Sequence, residues 1–160
     1  MRYGTRTIVG KKWTACGHRP EMPMKYGYQY SYLYQAIQPA TGESFEMFLP
    51  NMSGECFEIF IHEFSKEYPN NHLIMDNAGS HHTDFKRPKT GAPILHYLPA
   101  YSPDFNPQER VFQEIKRPLK GRFFETIEPI EQQIEAKIKE LKQNQGQAIQ
   151  QLTQWDWIVP

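Results

Sequence analysis

A chain of 160 residues is long enough for one domain with a buried core, and 39% apolar residues, including ten Phe, nine Tyr and three Trp, can fill it. No run approaches the roughly 20 apolar residues that span a bilayer, and the N-terminus lacks a signal peptide's apolar stretch. Cys16 and Cys56 form no Cys-x-x-Cys pair, so reduced thiols in a cytoplasmic protein are expected rather than a disulfide or a zinc site.

The formal net charge is zero, but it is unevenly spread: residues 1–25 carry six Lys/Arg against one acid, and 84–122 carry eight against four. The acids gather in 43–76, seven against one Lys. Local basic surface governs phosphate attraction, so nucleic acid stays open as a partner. Each basic stretch also reads as an ordinary solvated face.

Residues 1–25 read as irregular, with a short strand at Thr7 to Val9 or around Trp13. Tyrosines at 26, 28, 30, 32 and 34 alternate with the period of a strand, which puts all five on one face. Such a stripe packs under helices or stacks on bases. Pro39 to Gly42 is a turn, and Glu43 to Leu49 completes a hairpin. Ser53 offers an N-cap to a helix in which Cys56, Phe57, Phe60, Ile61 and Phe64 recur at helical spacing.

His72 to Met75 is a short apolar strand ending in Asp76-Asn77-Ala78-Gly79-Ser80-His81-His82. In open α/β sheets, chemistry gathers at the carboxyl ends of strands, where Asp76 falls. Two adjacent histidines on a strand do not easily face one site, and no Cys or His partners are spaced for zinc. A loop or short helix fills Ser80 to Gly91, and Ala92 to Leu98 is the next strand.

The stretch Leu98-Pro99-Ala100-Tyr101-Ser102-Pro103-Asp104-Phe105-Asn106-Pro107-Gln108-Glu109 is a rigid elbow, because its prolines fix φ and remove backbone donors. A helix leaves it with Asn106 as N-cap, Pro107 at the first position and Glu109 at N3. The Glu109 carboxylate either completes a capping arrangement or is aimed across the fold as a metal ligand. Val111, Phe112, Ile115 and Leu119 form one apolar stripe, with Arg110, Lys116, Arg117 and Lys120 as the polar remainder and Pro118 as a kink. Thr126 caps a last helix whose Ile127, Ile130, Ile134, Ile138 and Leu141 form a core face or a dimer seam. The glutamine-rich end, Gln143 to Gln154, carries no chemical signal.

Asp76-Asn77 to His81, the run Leu98 to Glu109, and Lys116 together resemble the DDE transposases of the IS630 / Tc1-mariner superfamily. The resemblance implies an α/β, ribonuclease-H-like mixed sheet flanked by helices. It implies Asp76 and Glu109 as catalytic metal ligands for Mg²⁺ (or Mn²⁺), two ions in the intact enzyme. Asn77, His81 and Asn106 would be supporting residues, although holding turns and capping the helix explains them equally well. Lys116 would contact DNA phosphate, with Arg110, Arg117 and Lys120 beside it. The implied partner is double-stranded DNA, the transposon ends and the target, with a homodimer or an upstream-encoded N-terminal part as protein partner.

The family also carries a first catalytic Asp on the first strand, just ahead of a segment similar to Arg2 to Pro20. No Asp precedes position 76. The chain is therefore expected to be a single, N-terminally truncated catalytic domain over 1–160 that lacks the first strand and leaves two inner sheet edges unpaired, with a helical tail from about residue 126. By itself it is expected to bind metal weakly and not to cleave or transfer strands. The alternative is a non-catalytic fragment that binds DNA or the transposase and regulates it. A nuclease of the same fold that only hydrolyses is a third reading, which the Pro-rich run disfavours.

Overall fold

The computed structural model describes residues 1–11, 13–76, 90–100 and 102–155. Among the described residues, five strands form two hydrogen-bonded sheets. Strands β1 (Arg2–Gly4), β2 (Tyr30–Ile37) and β3 (Ser44–Leu49) are antiparallel in that spatial order. Strands β4 (His72–Met75) and β5 (Ile94–Tyr97) pair in parallel, with His72 opposite Ile94 and Ile74 opposite His96. Helix α1 (Gly54–Glu67) joins the two sheets in sequence, and α2 (Gln108–Lys116), α3 (Glu128–Leu141) and α4 (Gln143–Thr153) follow β5. The architecture is mixed α/β, as the order of predicted elements implies.

The alternation of β2 decides where the cores lie. Leu33, wholly buried, and Ile37 face one way and pack with Tyr3, Val111, Ile115, Ile130, Ile134 and Ile149 beneath α2, α3 and α4. Tyr34 and Ala36 face the other way, against the α1 side chains Phe57, Phe60 and Ile61 and the strand residues Leu49 and Met75. Tyr34 and Phe60 have ring centres 5.6 Å apart. The isoleucine stripe of α3 is thus spent inside the chain, with Ile130, Ile134 and Ile138 all buried.

Several elements have the limits the residues suggest. Ser53 Oγ accepts from the Cys56 backbone N–H and caps α1. The hairpin closes through Gly42 N–H donating to Gln38 O, with Gly42 at φ 74°. Other expectations are corrected. The short strand near the start lies at Arg2–Gly4 rather than at Thr7 to Val9 or around Trp13, and the backbone of Ile8 makes only an isolated parallel bridge to Lys120. β2 starts at Tyr30, so Tyr26 and Tyr28 fall outside it and are exposed. Pro118 ends α2 rather than kinking it: an interior proline would remove a helical hydrogen bond, and a 3₁₀ turn, Arg117–Leu119, takes over. Thr126 gives α3 no side-chain cap. Its hydroxyl bonds the Glu128 carboxyl instead, holding it below the usual carboxylate range.

The glutamine-rich stretch forms α4. Its first turn departs from helix at Asn144, Gln145 and Gly146, all with positive φ. Gly146 lies back to back with Gly42 of the hairpin turn; a Cβ on either would come within 2.3 Å of the other's carbonyl oxygen. Gln150 Nε2 donates to Ala40 O across the same contact.

Candidate functional site

Asp76 follows the last residue of β4 and is exposed. Glu109 stands in the first turn of α2 and is exposed as well. The local backbone explains the second placement. Asn106 Oδ1 accepts from the Gln108 N–H at 3.1 Å, and Pro107 is already helical at φ −62°, ψ −23°. Counting from Asn106 as the cap, Glu109 occupies the third helical position, where the amino end of the helix favours a negative charge.

Both carboxylates line one cavity of about 520 Å³. Its walls include Leu33 to Ile37 of β2, Leu73 to Met75 of β4, Phe57 and Phe60 of α1, and Asn106 to Glu109 of the elbow. The cavity lies between the two sheets, where β1 and β4 share no hydrogen-bonded pairing. The Met1 backbone nitrogen sits at its wall and donates to Leu33 O at 2.6 Å, and Leu33 N–H donates back to Met1 O at 2.8 Å.

Electrostatics places the same groups together. Burial pulls the Met1 amine down to about 6; Lys116 lowers it further, while Glu109 and Asp76 act in the opposite sense. Two acids 33 positions apart in sequence and the Lys116 ammonium therefore all act on one point. Neither Met1 nor the convergence with Lys116 carries a signal in the sequence, because both depend on how β1 pairs with β2.

A second group that pattern reading missed is Gln108. It is 8% exposed and donates through Nε2 to Gln35 Oε1 at 2.6 Å. Gln35 in turn donates to Glu46 Oε1 at 3.1 Å, and Glu46 accepts from Lys142 Nζ at 2.6 Å. This chain of polar contacts runs from the α3–α4 junction through β3 and β2 to the turn that carries Glu109. A glutamine inside an elbow has no periodicity to mark it as buried.

The cations of the α2 region divide. Arg117 is paired with Glu114 at 2.5 Å, and the Arg110 guanidinium lies 5.3 Å from the Trp155 ring centre. Lys120 is exposed and Lys116 half-buried, and neither has an ion-pair partner among the described residues. Asn77 and His81 lie outside the described residues.

The sequence pattern of DDE superfamily endonucleases matches residues 1–131. The chain belongs to that family. Among solved structures it is similar to a Mos1 transposase paired-end complex with the left transposon end. The TM-score is 0.63 at 14% identity, over 96% of this chain and 49% of that one. At that identity the likeness establishes the fold, a ribonuclease-H-like mixed sheet, and the chain spans about half the length of its structural neighbour. No curated protein matches the chain.

The donor set at the cavity suits a hard divalent cation. Two carboxylates and the Asn106 amide offer oxygen ligands, which Mg²⁺ and Mn²⁺ prefer. Among the described residues no cluster of three His, Cys, Asp or Glu side chains is placed to hold a metal.

Proposed function

We propose that this chain is a catalytic-domain portion of an IS630 / Tc1-mariner-type DDE transposase, acting on transposon ends and target DNA. Asp76 and Glu109 are its Mg²⁺ or Mn²⁺ ligands. The observation that carries this reading is their common position on one cavity, one at a strand's carboxyl end and the other at a helix's amino end. When bound, the divalent ions would neutralise the phosphate and activate the attacking oxygen.

The chain's own residues have simpler tasks. Asn106 fixes the first turn of α2 and so the direction of Glu109. Gln108 ties that turn to β2. Lys116 and Lys120 neutralise DNA phosphates, which positions the duplex without reading its sequence. Asn77 and His81 are supporting residues in this reading.

Two carboxylates do not complete a two-metal site. A third, from outside residues 1–160, belongs at the cavity wall where the Met1 nitrogen stands. Without it the 160-residue chain holds metal weakly and neither cleaves nor joins DNA. Residues 1–160 work as one unit in this reading, with α3 and α4 supporting α2 from behind, and the intact protein pairs with a second copy to hold two DNA ends.

Calorimetric titration with Mg²⁺ and Mn²⁺ tests the assignment. Weak binding that disappears in Asp76→Ala and in Glu109→Ala is expected. Metal heats unchanged by both substitutions would refute the ligand assignment. DNA affinity with no metal binding at all would favour the other reading, a DNA-binding regulator of the transposase, for which the basic segments are the motivating feature.

A further inference from the structure

We propose that His72, which also lines the cavity of Asp76 and Glu109, forms with His96 a second metal site, for a borderline transition-metal ion such as Zn²⁺. The two histidines sit on adjacent parallel strands, β4 and β5, two residue pairs out of step: His72 is opposite Ile94 and His96 opposite Ile74. All four side chains are exposed and share one face of the ribbon, whereas Leu73, Met75 and Leu95 pack on the other. His72 Nδ1 and His96 Nε2 are 2.7 Å apart. The ring centres are 5.0 Å apart and the planes 22° from parallel, so the nitrogen–nitrogen line runs close to the line of centres. The contact is an in-plane hydrogen bond, not a face-to-face stack.

That geometry aims a lone pair of one imidazole and an N–H of the other at a common point. An ion that favours imidazole nitrogen can take the proton's place. The displaced proton moves to the other nitrogen of the same ring, so both rings stay neutral and no net proton is released. Two nitrogens at 2.0–2.1 Å from a tetrahedral centre are about 3.3 Å apart. The pair must therefore open by roughly 0.6 Å, and each ring must swing by about 35° so that its lone pair leaves the line between the rings and points at the ion, a move that exposed side chains on neighbouring strands make through their χ rotations. Water completes the coordination. Mg²⁺, which takes oxygen ligands, has no place there.

The site is independent of the transposase reading. His72 precedes Asp76 by four positions of extended chain, about 13 Å. A two-stranded parallel ribbon is weak by itself, and an ion bridging β4 to β5 would clamp the ribbon that leads into Asp76.

The test is Zn²⁺ titration of the 160-residue chain by calorimetry, together with imidazole NMR and a thermal melt. One Zn²⁺ per chain is expected, with a rise in melting temperature and with shifts confined to the His72 and His96 rings. His72→Ala and His96→Ala should each abolish the heat and the rise in melting temperature; Asp76→Ala and the His81→Ala/His82→Ala pair should keep both. His72→Gln and His96→Gln, checked by circular dichroism, replace any alanine variant that fails to fold. No saturable Zn²⁺ binding would overturn the proposal. So would binding that survives the loss of His72 and His96, or binding lost in the Asp76 or His81/His82 variants.

Discussion

Gln108 ties the turn that carries Glu109 to β2. Its amide is buried and bonded to Gln35, and Gln35 is bonded to Glu46. Removing the amide leaves the Gln35 oxygen without its donor inside the protein, at a cost of about 1–3 kcal/mol. Gln108→Leu is expected to lower unfolding free energy by that order in a denaturant titration, and to weaken Mn²⁺ binding although it removes no metal ligand. Normal stability with weakened metal binding would mean the amide touches the site directly. At this scale the sequence was legible where a residue acts on its neighbours: Ser53 on Cys56, Asn106 on Gln108. It was opaque where partners are distant. Gln108 meets Gln35 across 73 positions, and no local pattern encodes that meeting.

Among elements, the helices with one apolar stripe could be read from spacing alone, because a 3.6-residue period leaves one buried face. α1 and α3 both bury the residues their spacing picks out. α4 was hidden for a definable reason. Its start is a left-handed turn at Asn144, Gln145 and Gly146, and its glutamines carry little periodicity. What fixes it is the close approach of Gly146 to Gly42, two glycines at positive φ whose backbones touch. A side chain in that conformation costs roughly 1–3 kcal/mol before any clash. Gly146→Ala is expected to destabilise the protein by at least that order in thermal or denaturant melts, and Gly42→Ala likewise. The tyrosine run was misjudged for the opposite reason. Alternation is a property of the sequence whether or not a partner strand is present, and β1 and β3 engage only the part from Tyr30 onward.

At the scale of the molecule, the described residues form two hydrophobic centres with the larger sheet between them. One holds Ile134 and Ile115 under α2, α3 and α4; the other holds Phe60 and Met75 around α1 and β4. Ile134→Ala and Phe60→Ala each remove a large buried side chain, with expected costs of about 2–5 kcal/mol. Because the two belong to different clusters, their effects should add to within roughly 0.5 kcal/mol. A double-mutant cycle by urea unfolding measures this, and a large coupling energy would mean the centres unfold as one packed mass. Fold class was legible from the order of elements and from the proline-rich elbow. The division into two sheets was not visible, since strand order is set by contacts between remote segments.

That division bears on the two acids. Asp76 follows a strand anchored among the phenylalanines of α1, while Glu109 rides a helix rooted among the isoleucines of α3. The gap between their carboxylates is therefore not fixed by either anchor but by the joint between them, and the vacant volume lies in that joint. Whatever packs there becomes the spacer that sets the jaw width, so the separation of the two acids is governed from the interior of the molecule rather than from their own turns.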